Sequence, residues 1–123
     1  MNAARGGRDA PHDRATLFHL AVRDEWHATA AEDTYAPAAF AAESFVHCSY
    51  RDQLPGVRER YYTGRTDLVV LEIDRAALEA VVGAGAVLDE PSPLTGELFP
   101  HVYAQIPRAI VREVHGSGSV NSP

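Results

Sequence analysis

The sequence predicts a mixed α+β domain in which helices pack on a small sheet. Three observations carry that expectation. At 123 residues the chain suits one domain with a real core and is too short for two. Its patterns run strand, helix, strand, helix, strand, and from there read mostly as strands. Regular helices are missing between the later strands, which argues against a doubly wound parallel sheet and for α+β.

Residues 16–21, TLFHLA, form a short apolar run suited to a buried first strand. RDEWHATAAE at 23–32 follows with good helix formers, and Trp26 and Ala30 share one helical face. Pro37 breaks that pattern, so YAPAAF reads as a loop leading into a short strand or turn. SFVHC at 44–48 is the second strand. Ser49 is placed to cap a helix over about 51–62 through the S-x-x-D pattern ending at Asp52, with Leu54, Val57 and Tyr61 on its buried face. Pro55 must kink that helix or delay its start.

TGRTD at 63–67 is a turn, and LVVLEI at 68–73 is the clearest strand, apolar enough to be buried on both faces. Asp74 can cap a single helical turn, DRAAL; VVGAGAVLDE then reads as a weak strand interrupted by glycines. EPSPLTGELFP is expected to be a long loop, residues 101–105 a short strand, and AIVREV at 109–114 the strand that closes the sheet. Residues 1–13 and 116–123 (the latter GSGSVNSP) cannot bury enough apolar area to offset ordering entropy, so they are expected to be disordered tails around a domain at 14–115. His12 is discounted for that reason, and His115, at the edge of the closing tail, gets little weight.

Composition narrows the function classes. A net charge of −6 leaves no global positive field to draw the chain to nucleic acid or an anionic membrane, and neither partner is expected. Arg51, Arg58, Arg60 and Arg65 lie close in sequence, as a local basic groove or as a solvated helix face. A single cysteine excludes an internal disulfide. No apolar run approaches the roughly 20 residues that span a bilayer, and the N-terminus lacks the apolar centre of a secretory signal. A cytoplasmic location is expected; the oligomeric state is left open.

Three histidines sit among large apolar residues: His19 in LFHL, His47 in FVHCS and His101 in LFPHVY. They can converge as a binding or acid–base cluster, since neutral imidazole both donates and accepts and titrates near neutrality. They can equally be half-buried side chains satisfied by backbone carbonyls. A metal is not expected: His47 and adjacent Cys48 point to opposite faces of a regular strand, and there is no C-x-x-C or H-E-x-x-H. Cys48 as a nucleophile meets the same difficulty, which favours core packing. Ser49 shares a face with His47, and the helix start that follows, with Arg51 as cation partner, can receive an anionic group, while Gln53 can bond a ligand amide or simply sit exposed. Tyr103, two residues after His101, is the aromatic best placed to pack on a ligand ring, and Glu97 is the carboxylate nearest His101 in sequence.

Taken in order, LFHL, EW, FVHCS, QLPGV, LVVLEID and GELFPHVY resemble the bacterial family catalogued as domain of unknown function 952, over about Leu17 to Val114. That family is similar in fold to ADP-ribosyltransferases, which implies a small split, mostly antiparallel sheet with two helices and a central cleft that grips NAD. The resemblance implies that His19 corresponds to the first-strand histidine that bonds a ribose, and that His47 and Ser49 correspond to a His-x-Ser element on the second strand. His101 then falls near the third motif position, where active transferases carry glutamate. That departure counts against protein ADP-ribosylation.

The resulting expectation is a histidine-lined cleft for a nucleotide-like or small anionic ligand, with NAD-dependent glycosyl or ADP-ribosyl transfer as the chemistry. In that scheme His19 and His47 position the substrate, His101 or Glu97 supports developing charge, and Ser49, Arg51, Gln53 and Tyr103 hold the cofactor. The alternatives are an acid–base enzyme on a small metabolite (hydrolase, isomerase or cyclase) and a ligand-binding module without catalysis. All of them require the imidazoles to meet around one hollow.

Overall fold

The computed structural model describes residues 13–114. The tails expected at 1–13 and 116–123 lie, apart from Asp13, outside the described residues, as do His12 and His115. The chain runs β1 (Thr16–Val22), α1 (Arg23–Ala28), β2 (Thr34–Tyr35), α2 (Phe40–Glu43), β3 (Val46–His47), α3 (Leu54–Tyr62), β4 (Leu68–Asp74), α4 (Arg75–Val82), β5 (Val87–Pro91), β6 (Leu98–Val102), β7 (Ile106–Pro107) and β8 (Val111–Val114). It is a small α+β domain, and its strand pairings are all antiparallel among the described residues.

One three-stranded sheet has the order β1-β4-β8 and another β3-β6-β5, with β2 and β7 as a separate pair. The two larger sheets touch where Phe18 pairs with Ser49, N–H to carbonyl in both directions at 2.8 and 2.7 Å. Continued regularly, that ladder would set Leu20 opposite His47. It opens instead, because the His19 ring donates from Nδ1 to the His47 carbonyl at 2.7 Å. The imidazole fills the fork between the sheets.

Alternation along β1 divides the core. Leu17 and Ala21 join Tyr35, Val46, Leu71, Ile73, Leu78, Val102 and Ile106 in the main cluster, while Phe18 packs with Leu54 and Val70 on the opposite face, beneath α3. Burying the Leu78 side chain completely contributes about 2 kcal/mol toward docking α4 on the sheet.

Several expectations are corrected. The helix expected over 23–32 stops at Ala28. Arg108 Nη1 captures the Trp26 carbonyl at 2.8 Å, and the Thr29 hydroxyl bonds it at 3.0 Å, so the last turn is closed by side chains. The cap at the next helix belongs to Tyr50 rather than Ser49: Gln53 Oε1 accepts from the Tyr50 N–H at 2.9 Å. A 3₁₀ turn over Arg51–Gln53 then delays the α-helix until Leu54, which leaves Pro55 in its first turn, where a missing N–H costs little. Tyr61, expected on the buried face, is 52% exposed.

Asp74 does cap a helix, accepting from the Ala77 N–H at 2.9 Å. That helix runs two turns to Val82, however, and ends at Gly83 with φ +94°, so VVGAGAVLDE is not one strand. EPSPLTGELFP is the tip of a β5–β6 hairpin, closed by Ser92 N–H to the Glu97 carbonyl at 2.8 Å. The described residues hold four α-helices rather than two. None of their helices is long and apolar enough to cross a membrane.

Candidate functional site

Strand alternation at β3 buries Val46 and Cys48 and turns His47 outward. Antiparallel pairing sets His101 of β6 directly opposite His47. Their ring centroids lie 5.0 Å apart and nearly perpendicular, at 82°. Phe45 covers both: it stacks on His101 at 4.1 Å and meets the His47 ring edge at 4.7 Å.

Each imidazole has its own carboxylate. His47 Nε2 donates to Glu43 Oε1 at 3.0 Å. Ser44 makes that possible by taking a left-handed turn, φ 70°, which ends α2 and swings the chain into β3. His101 Nδ1 donates to Glu90 Oε1 at 2.8 Å, and the Tyr103 hydroxyl donates to the same oxygen at 2.6 Å. Those two donors, Tyr103 first and His101 second, hold Glu90 below the usual carboxylate range. The bond to Glu90 in turn pushes the Tyr103 hydroxyl up, so it stays a donor. With one nitrogen of each ring donating to a carboxylate, the other, Nδ1 of His47 and Nε2 of His101, has no protein partner among the described residues. In the neutral ring it is a lone-pair base.

A cleft of about 740 Å³ opens over this pair. Val57, Tyr61 and Tyr62 of α3, the hairpin residues Pro91, Ser92 and Pro93, and Phe99, Cys48 and Ser49 line it together with Phe45 and the two histidines. The Ser49 hydroxyl is unbonded among the described residues, its backbone being used to pair with Phe18. Burial pushes the Cys48 thiol up to about 12, which removes its thiolate from chemistry near neutral pH.

The structure therefore brings His47, His101 and Ser49 to one cleft and sets Tyr103 behind Glu90. It does not bring His19 there. That ring is buried on the core side, with Nδ1 on the His47 carbonyl and Nε2 accepting from the Tyr35 hydroxyl at 3.0 Å. Burial lowers its pKa to about 4, so it is neutral and both nitrogens are committed.

Arg51 lies over the Phe18 ring, 4.7 Å from its centroid, and does not line the cleft. Gln53 caps the turn before α3 and donates to the Leu98 carbonyl at 2.8 Å and to Glu97 Oε2 at 3.1 Å. Glu97 is thereby an exposed partner of Gln53, and the carboxylate beside His101 is Glu90. Of the arginines at 51–65, Arg58 and Arg65 line one separate, open hollow of about 330 Å³ with Glu59 between them in sequence, Arg65 also pairing with Asp67 at 2.7 Å, whereas Arg51 and Arg60 do not line it.

Sequence reasoning missed Glu43, Phe45 and Glu90. Glu43 stands four residues before His47, a spacing that signals a contact only once a helix turn at 40–43 is recognised. Glu90 meets His101 only through the hairpin register, in which Leu88 lies opposite His101 and Glu90 is the next residue on that face.

Residues 20–114 match the family described as protein of unknown function, DUF952. The crystal structure of protein CC0527 from Caulobacter crescentus, a structural-genomics target, superposes with a TM-score of 0.68 at 26% identity, covering 80% of this chain and 83% of that one. The solution NMR structure of CC0527 gives a TM-score of 0.66 at 24% identity, over 81% and 83% of the two chains. No curated protein matches the sequence significantly.

Proposed function

The chain belongs to the family described as protein of unknown function, DUF952, and from that premise and the cleft geometry we propose that the protein is a small-molecule acid–base site. One observation carries the reading: His47 and His101 face each other at 5.0 Å across adjacent strands, each backed by its own carboxylate. A carboxylate behind an imidazole fixes its tautomer and stabilises the imidazolium formed when the far nitrogen takes a proton. In this scheme a bound molecule lies over Phe45 and loses a proton to His47 Nδ1 or His101 Nε2. The same imidazolium then returns the proton to another atom of that molecule. The mostly apolar cleft holds the molecule and thins the water around it.

NAD does not fit these residues. Its pyrophosphate is a dianion, whereas the ionic side chains of the cleft wall are Glu43 and Glu90, with no arginine among the lining residues and no lysine in the chain. Arg51, the cation expected there, lies over the Phe18 ring and is not among the cleft-lining residues. The acid–base reading therefore displaces the transfer chemistry that resemblance to ADP-ribosyltransferases implied.

The test is a screen of small metabolites by protein-observed NMR, followed by turnover assays on the binders. Compounds that shift Phe45, His47 and His101 together are expected, with turnover reduced roughly 100-fold or more in His47→Ala or His101→Ala. Turnover indifferent to both substitutions would sink the proposal. Binding at the cleft without turnover of any binder would replace it with the non-catalytic module. Nicotinamide release from NAD, lost in His47→Ala, would restore the transferase reading.

A further inference from the structure

The hydrogen-bonding inventory of the cleft is one-sided. Glu43 and Glu90 each engage only Oε1, so both Oε2 atoms remain as acceptors. The far nitrogens of His47 and His101 are acceptors too, since the near ones donate to those carboxylates. The hydroxyls of Ser49, Tyr61 and Tyr62 serve either way. No guanidinium or ammonium lines the space to offer a donor with positive charge. Around these acceptors stand the rings of Phe45, Tyr61, Tyr62 and Phe99, whose faces carry partial negative charge. An anion entering here meets like charge and finds few donors. A cation rich in N–H groups finds a partner for each.

We propose that the cleft selects an organic cation, with an amidinium, guanidinium or primary ammonium head on a flat apolar body. The head lies between Glu43 and Glu90, and the body lies against the aromatic wall formed by α3 and Phe45. This assignment rests on the small-molecule reading above and reverses the anionic ligand expected from the helix start at 49–53. Three of the amides there are already taken: the Tyr50 N–H donates to Gln53 Oε1, the Ser49 N–H to the Phe18 carbonyl and the Gln53 N–H to the Tyr50 carbonyl. Global charge adds attraction at long range, with −6 on the chain, but it does not specify the site.

Three nearly isosteric probes separate shape from charge: benzamidine as cation, benzamide as neutral amide and benzoate as anion. Each is titrated into the full-length protein at neutral pH and followed by protein-observed NMR. Benzamidine is expected to shift Phe45, His47, Glu90 and His101 with a Kd at least tenfold below that of benzamide, and benzoate to leave them in place. Glu43→Gln and Glu90→Gln should together erase the difference between benzamidine and benzamide. Glu32→Gln, which removes a charge from the exposed turn after α1, should preserve it.

Benzoate binding as tightly as benzamidine would overturn the cation assignment and leave the small-molecule reading intact. An equal loss in Glu32→Gln would overturn it as well, since net charge alone would then explain the preference. If none of the three probes shifts the cleft residues, the cation assignment falls, while the small-molecule reading stands or falls on the metabolite screen.

Discussion

The imidazole of His19 donates from Nδ1 to the backbone carbonyl of His47 at 2.7 Å, while its Nε2 accepts from the Tyr35 hydroxyl at 3.0 Å. One buried side chain thus satisfies the buried Tyr35 hydroxyl and the part-buried His47 carbonyl, on different strands. His19→Ala strips both, and leaving buried polar groups unsatisfied costs about 1–3 kcal/mol each. The variant is expected to unfold at least several degrees below the wild type, as measured by thermal denaturation. An unchanged Tm would contradict the structural role given to His19.

Acid should expose the same residue. Burial, the largest effect, and the proximity of His47 lower the His19 pKa from 6.5 to about 4, against a smaller opposing contribution from the His47 carbonyl bond. The unfolded chain therefore takes up this proton before the folded one does. His19 contributes its full stability above pH ~6.5 and loses it as pH falls toward ~4, an amount near 3 kcal/mol at about 1.4 kcal/mol per pKa unit. Urea unfolding across that window should show the decline in the wild type and a flatter profile in His19→Gln.

His47 and His101 should respond differently to truncation. The His47 side chain is 58% exposed, and its pair with Glu43 faces solvent, so His47→Ala is expected to change stability by less than about 0.5 kcal/mol. His101 is buried under Phe45, and its loss leaves Glu90 with one donor fewer. His101→Ala should cost about 1–2 kcal/mol by urea denaturation. Equal effects from the two substitutions would argue against the packing described.

Cys48 should behave as a core atom. The residue is 3% exposed, and burial pushes its thiol up to about 12. Thiol-specific reagents are expected to label it only through opening of the fold, at a rate that climbs with urea. Rapid labelling of native protein near neutral pH would show a reactive thiolate that this burial does not permit.

What the sequence disclosed was local. TLFHLA and LVVLEI read as strands because apolar runs bounded by turn signals need no distant partner to be recognised, and both lie within a residue of the observed limits. The adjacent placement of His47 and Cys48 foretold opposite faces by alternation alone. The register that sets His47 against His101 is non-local, and so are the partners Glu90 and Gln53 acquire. EPSPLTGELFP looked like a loop because its prolines mask a hairpin whose pairing runs up to Pro91 and resumes at Leu98. Ser49 looked like a helix cap because its pairing with Phe18, more than thirty residues away in sequence, leaves no local trace.

Gln53 has a wider bearing than its surface position suggests. Its single amide ties the Tyr50 N–H, at the threshold of α3, to the Leu98 carbonyl on β6. Both elements line the hollow that Phe45 borders. Shape in that hollow is accordingly inherited from folding rather than acquired on contact with a guest, so occupancy should demand little rearrangement and selectivity should follow size and rigidity in the guest.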